Sequence, residues 1–150
     1  MDIIRATEEH LPLILPLFDA YRQFYEQPSD LEASSLYLAE RLTNQESAIF
    51  LAYEQKDGEV RGIGFTQLYV TFSSVALKKF WVLHDLYVRE DFRKIGVAKK
   101  LMDKSKELAL ENAPMGLVIE SRISNQSAQH LFDSVGFVKQ GEHYFYFLED

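Results

Sequence analysis

Residues 86–98 read Leu-Tyr-Val-Arg-Glu-Asp-Phe-Arg-Lys-Ile-Gly-Val-Ala, an apolar run passing through a polar stretch into a helical pattern. The first helical turn carries Arg93-x-x-Gly96-x-Ala98. Small residues there let a ligand approach the backbone closely. The unpaired N–H groups and positive dipole end of a helix start suit a pyrophosphate, and Arg93 and Lys94 can add charge-assisted contacts. The same pattern also serves an ordinary strand-to-helix turn with a glycine for packing. The glycine and lysine spacings of a Walker loop or a dinucleotide fingerprint are missing.

A second constellation runs from Asn125 to Phe137, Asn-Gln-Ser-Ala-Gln-His-Leu-Phe-Asp-Ser-Val-Gly-Phe. Asn125 suits a helix cap and Gly136 a helix end, so alone it reads as a well-capped short helix. A third candidate is His84, within Trp81-Val82-Leu83-His84-Asp85. An imidazole can take a proton from an amine, directly or through water. The position equally fits a strand histidine whose ring is merely hydrogen-bonded. Strand alternation sends Asp85 to the opposite face unless a bulge intervenes, which makes it the weaker candidate. The chain has no cysteine and four scattered histidines. Neither a metal site nor a thiolate nucleophile is expected, and no Ser-His-Asp arrangement is evident.

These residues need elements to hold them. Ile3-Ile4 suggests a short opening strand. Thr7 is a candidate cap for a helix reaching about Tyr25, with Leu11, Ile14, Leu15, Phe18 and Tyr21 on one face and Pro16 as a kink or break. Ser29 with Glu32 resembles a capping box that opens a second helix through Arg41. Strands are expected over 48–54 and 60–71, joined by an Asp57-Gly58 hairpin turn, and over 80–88. A helix over 95–111 carries Val97, Ala98, Leu101, Met102, Ser105, Leu108 and Ala109 on one stripe. A fifth strand over 115–121, a helix over 126–134 and strands over 135–139 and 144–148 complete the pattern. Helices and strands mix without strict alternation, which predicts an α/β sheet with parallel and antiparallel parts.

At 150 residues the chain is expected to form one domain, 1–150. Its formal charge is −7, which argues against nucleic acid and favours a cationic small molecule. The densest basic stretch, Lys94, Lys99, Lys100, Lys104 and Lys106, is interrupted by Asp103 and Glu107. No apolar stretch is long enough to span a bilayer, and the opening Met1-Asp2-Ile3-Ile4-Arg5 lacks signal-peptide order. With no cysteine to oxidise, a soluble cytoplasmic protein without membrane partners is expected.

Together, and about thirty residues apart, the two constellations resemble the acetyl-CoA-binding motifs of the GNAT superfamily of N-acetyltransferases. The first resembles Val-x(4)-[Arg/Gln]-x-x-Gly-x-[Gly/Ala], starting here at Val88. The second resembles Asn-x-x-Ala-x-x-Leu-[Tyr/Phe]-x-x-x-Gly-Phe, from Asn125 to Phe137. The element order agrees along essentially the whole chain. The resemblance therefore implies the GNAT acyl-CoA N-acyltransferase fold, a mixed, mainly antiparallel sheet flanked by helices. Trp81 to Val88 and the spacing to Gly96 look closest to diamine acetyltransferases and related bacterial enzymes.

The resemblance also implies roles. Leu86, Tyr87 and Val88 would pair with the pantetheine arm of acetyl-CoA. Arg93 through Lys99 would cradle the pyrophosphate, mainly through N–H groups of Lys94, Ile95, Gly96, Val97 and Ala98. Asn125 would hydrogen-bond the pantetheine, with Ser127 and Ala128 close by. The amine would lose its proton toward His84 and attack the thioester directly, with the Leu86 N–H at the oxyanion. Tyr25, Glu26 and Asp30 would receive a small-molecule amine, such as a diamine, or simply form a solvated loop with a helix cap, and Trp81 would wall the site or fill the core.

Two departures stand out. His84 replaces the glutamate of the diamine enzymes. Phe132 replaces a tyrosine whose hydroxyl can protonate the departing thiolate, leaving water, Tyr87, Tyr144 or Tyr146 for that task. A protein lysine, an N-terminus, an amino acid or antibiotic amine as acceptor, and a non-catalytic acyl-CoA-binding module, stay open as alternatives. A homodimer is also expected, with residues 144–148 at its interface.

Overall fold

A computed structural model describes residues 1–112 and 116–149. The chain divides into two compact units, 1–120 and 121–150.

In the first unit, β1 (Asp2–Arg5) leads through a 3-10 turn (Glu8–His10) to α1 (Leu11–Phe24) and α2 (Leu31–Thr43). Then come β2 (Ser47–Lys56), β3 (Glu59–Ser73), β4 (Lys78–Val88), α3 (Val97–Asn112) and β5 (Leu117–Ile119). The sheet order is β1-β2-β3-β4-β5. Pairs are antiparallel except β4 with β5, which run parallel. This mixed, mainly antiparallel sheet flanked by helices is the expected fold class.

The β2–β3 hairpin closes at Lys56 opposite Glu59 through Asp57 and Gly58, both at positive φ (53° and 80°). That left-handed pair matches the twist of the strands it joins. Helix α1 presses Ile14, Leu17 and Phe18 onto Ile49, Leu51 and Phe65, joined by Leu38 of α2. Burying each such side chain contributes roughly 1.5–3 kcal/mol. Gly62 makes this approach possible: a Cβ there would lie 2.7 Å from the Leu13 carbonyl oxygen. Helix α3 packs against β2, β3 and β4, burying Val97, Leu101, Met102, Ser105, Leu108 and Ala109. Ser105 satisfies its hydroxyl on the Leu101 carbonyl at 3.0 Å.

Both helix starts differ from expectation. Thr7 caps only the 3-10 turn, because His10 closes a capping box with it, and α1 begins at Leu11 with Pro16 inside. Asp30, not Ser29, caps α2, its carboxylate accepting the Ala33 N–H at 3.0 Å. Ser29 instead donates to Asp19 Oδ2 at 2.7 Å.

In the second unit, α4 (Gln126–Ser134) agrees with its expected bounds. Asn125 caps it through Ala128 N–H at 3.2 Å. Gly136, at φ 98°, ends it. Gly136 N–H bonds Asp133 O and Phe137 N–H bonds Phe132 O, the paired hydrogen bonds of a Schellman stop. The Phe132 and Phe137 rings, 6.1 Å apart, make its apolar contact. The strands expected over 135–139 and 144–148 are absent from the described residues. β-branched and aromatic residues settle into a strand only when another strand completes the ladder, and among the described residues none does. The fifth strand is three residues long, and Met115, with which it was expected to begin, lies outside the described residues.

Candidate active site

The key to the site is a bulge in β4. Leu68 of β3 pairs with Leu83, whereas Gln67 pairs with Asp85, so His84 has no partner on β3. One extra residue resets the strand alternation. His84 and Asp85 therefore share the α1 face instead of dividing between two. The exposed His84 ring meets the Tyr69 ring edge-on at 5.1 Å. Asp85 Oδ2 accepts Gln67 Nε2–H at 2.8 Å, and its main-chain oxygen accepts Thr66 Oγ1–H at 2.8 Å. The condition under which Asp85 was expected to point away, an unbulged strand, is not met.

Burial raises the Asp85 carboxyl above the ordinary carboxylate range, against the lowering influence of Gln67, Tyr21 and His84. Burial likewise raises Tyr21, which Asp85 reinforces. The Tyr21 hydroxyl reaches the His84 carbonyl at 3.4 Å, and its ring packs edge-on against Tyr25, Phe65 and Tyr87. Tyr69 shares a 2.6 Å hydroxyl contact with Tyr37 of α2. Neither Tyr21, Gln67 nor Tyr69 was singled out from sequence. Two adjacent polar residues, Thr66-Gln67, inside an apolar strand were the available signal.

Immediately beyond the bulge, β4 loses its other neighbour. Only Trp81, Val82 and Leu83 pair with β5. Leu86, Tyr87 and Val88 have no partner on β5, which ends at Ile119, and a strand edge of this kind can pair with an extended ligand.

A loop then carries the chain to α3. Lys94 (φ 64°) and Gly96 (φ 89°) both adopt left-handed conformations. Alternation of this kind turns successive N–H groups to one side, an anion-binding concavity. Lys100 N–H bonds the Gly96 carbonyl at 3.1 Å, so the N–H groups ahead of it belong to the unsatisfied first turn. A Cβ on Gly96 would meet nothing within 4 Å. The Arg93 side chain is drawn back to the strand, its Nε donating to Val88 O at 2.8 Å and its guanidinium carbon 5.6 Å from the Tyr87 ring centroid.

The remaining expected residues are placed unevenly. Tyr25 adjoins Tyr21, with ring centroids 5.1 Å apart, and Glu26 is exposed at the turn ending α1, at φ 65°. Asp30 is engaged as the α2 cap, and its N–H bonds Asp19 Oδ1 at 3.0 Å. The structure does not bring Trp81 to this cluster. It pairs with Val70 on the other sheet face, buried, and borders a separate cavity with Arg5, Lys79 and Leu108. Ser127 and Ala128 lie in the first turn of α4. No cluster of metal-ligating side chains occurs among the described residues, and no described helix is long and apolar enough to cross a membrane.

A mixed sheet whose β4–β5 pairing ends beside a left-handed loop and a helix start is an arrangement that can receive an acyl-CoA. The sequence matches the Acetyltransferase (GNAT) family over residues 14–137, and the chain belongs to that family. It is 39% identical over 137 residues to the uncharacterized N-acetyltransferase YhfO of Bacillus subtilis, covering 91% of this chain and 89% of that one. A crystal structure of a probable acetyltransferase superposes with TM-score 0.89 at 40% identity, covering 100% and 98% of the two chains. A thialysine N-epsilon-acetyltransferase of Caenorhabditis elegans is 24% identical over 151 aligned positions, covering 99% and 91%. The chain is an acetyl-CoA-dependent N-acetyltransferase.

Proposed function

We propose that the chain, acting as one domain, transfers the acetyl group of acetyl-CoA directly to a primary amine of a small molecule, a diamine or polyamine. The observation that carries this reading is the bulge at His84, two residues before the stretch of β4 that has no β5 partner. Acetyl-CoA supplies the activated thioester. Leu86, Tyr87 and Val88 align the pantetheine along the strand edge, and the backbone from Lys94 to Ala98, with Arg93 and Lys99, receives the pyrophosphate. Asn125, with Ser127 and Ala128 beside it, is assigned to the pantetheine by the motif alone.

In this reading His84 receives the proton of the attacking amine, and the Leu86 N–H faces the oxyanion. Tyr25 lies against the acceptor's methylenes, and Glu26 holds a distal ammonium, with the uncommitted oxygen of Asp30 as its partner. A relative named for acetylating the epsilon nitrogen of thialysine supports a small primary amine over a protein substrate. Phe132 carries no dissociable proton, and in this reading the departing thiolate takes its proton from water. A homodimer in the cytoplasm completes the proposal. Residues 144–148 are five consecutive large apolar side chains, each at least 76% exposed, and such patches mark interaction surfaces. The test is thiol release from acetyl-CoA against a panel of amines, in which diamines should be the best acceptors.

A further inference from the structure

Asp85 is a carboxyl held by neutral groups. Gln67 is wholly buried. Its Oε1 accepts the Ser47 hydroxyl at 2.9 Å, which aims Nε2 at Asp85 Oδ2, 2.8 Å away. Tyr21 of α1 lies beside Asp85, its hydroxyl donating to the adjacent His84 carbonyl at 3.4 Å. The titratable groups facing Asp85 are Tyr21 from α1, Tyr69 from β3 and its neighbour His84. Among the described residues, no arginine or lysine forms an ion pair with it.

A carboxylate offers about four acceptor sites, and these partners occupy only part of them. A partly buried charge without a counter-charge is costly, and a cation with good geometry offsets that cost. The bulge sets this carboxyl next to His84, the exposed imidazole at the point where the amine must react.

We propose that Asp85 is the group that binds the acceptor's ammonium, holding it while His84 takes the proton, so that the site selects cationic primary amines. The chemistry rests on the acetyltransferase reading above; the geometry does not. The ammonium N–H donates to Asp85, one proton passes to the His84 imidazole, and the freed nitrogen lone pair becomes the nucleophile. No oxidant or further reactant is needed.

The test is a titration of isotope-labelled protein with n-butylammonium chloride, followed by NMR at His84 and Tyr21, with n-butanol as the neutral control. The wild type should show a saturable shift with the ammonium and none with the alcohol. Asp85→Asn should weaken the affinity at least tenfold. Its melting temperature should equal or exceed the wild type's, because asparagine keeps the Gln67 contact and removes an uncompensated charge. A merely structural carboxylate would lower it. Equal binding by Asp85→Asn, or no saturable shift in the wild type, overturns the proposal. Amine-dependent thiol release separates the two readings. Binding that needs Asp85 but supports no turnover with any amine removes the acetyltransferase reading alone. Turnover with an unchanged amine KM in Asp85→Asn removes the Asp85 assignment alone.

Discussion

Gln67 Nε2 and Asp85 Oδ2 stand 2.8 Å apart across β3 and β4, while the adjacent His84 has no partner on β3. This irregularity places the His84 imidazole and the Asp85 carboxyl on one face, just ahead of the stretch of β4 that has no β5 partner. An unbulged β4 would have buried one of them against α3.

The α1–α2 turn that borders this face depends on Asp19. Its buried carboxylate accepts Ser29 Oγ–H, Gln23 Nε2–H and Asp30 N–H. The Ser29 hydrogen bond is the main cause that lowers its pKa, opposed by burial. A lowered carboxylate contributes stability that is complete above the unfolded value of about 3.9 and is lost as pH falls through the lower folded value. Chemical denaturation between neutral and acid pH should therefore show Asp19→Ala less stable by ~1–3 kcal/mol at neutral pH. That difference should shrink as the wild-type carboxylate is protonated.

Gly96 should tolerate neither a side chain nor a charge. At φ 89° an alanine costs roughly 1–2 kcal/mol of backbone strain, although its Cβ meets open space. Gly96→Glu adds a negative charge where the pyrophosphate is proposed to lie, and like charges brought together cost several kcal/mol. Calorimetry should show acetyl-CoA affinity falling by about tenfold or more, 1.4 kcal/mol per decade, in a folded protein. Unchanged affinity removes the pyrophosphate assignment.

The helix that Asn125 caps should loosen in Asn125→Ala by about 0.5–2 kcal/mol, read by thermal denaturation. The proposed pantetheine contact adds a second effect, weaker acetyl-CoA binding in the same variant. Lost stability with intact affinity would leave Asn125 a cap and nothing more.

Much of this was legible in the sequence because local signals and tertiary packing agree. The Asp57-Gly58 turn, the α3 stripe and the Asn125-to-Gly136 helix are each fixed by chemistry within a few residues of themselves. The bulge was not legible, since nothing in Leu83-His84-Asp85 marks an extra residue; only pairing with Gln67 and Leu68 reveals it. Trp81 followed the same rule, its face set by register with Val70. The capping residue of α2 shifted from Ser29 to Asp30 because the distant Asp19 claims the Ser29 hydroxyl. The segments 135–139 and 144–148 are rich in β-branched and aromatic residues, yet that composition provides no ladder partner.

Replacing His84 by glutamate should preserve measurable turnover, because a carboxylate at the same exposed position can also accept the amine's proton.

The most direct test measures thiol release from acetyl-CoA at saturating cosubstrate with the best amine of the panel, comparing wild type with His84→Ala. The wild type should release thiol only when amine is present. The variant should be slower by about 10²–10⁴, with its acetyl-CoA affinity unchanged. A wild type that releases no thiol with any amine, or a variant equally fast when chemistry limits the rate, contradicts the account.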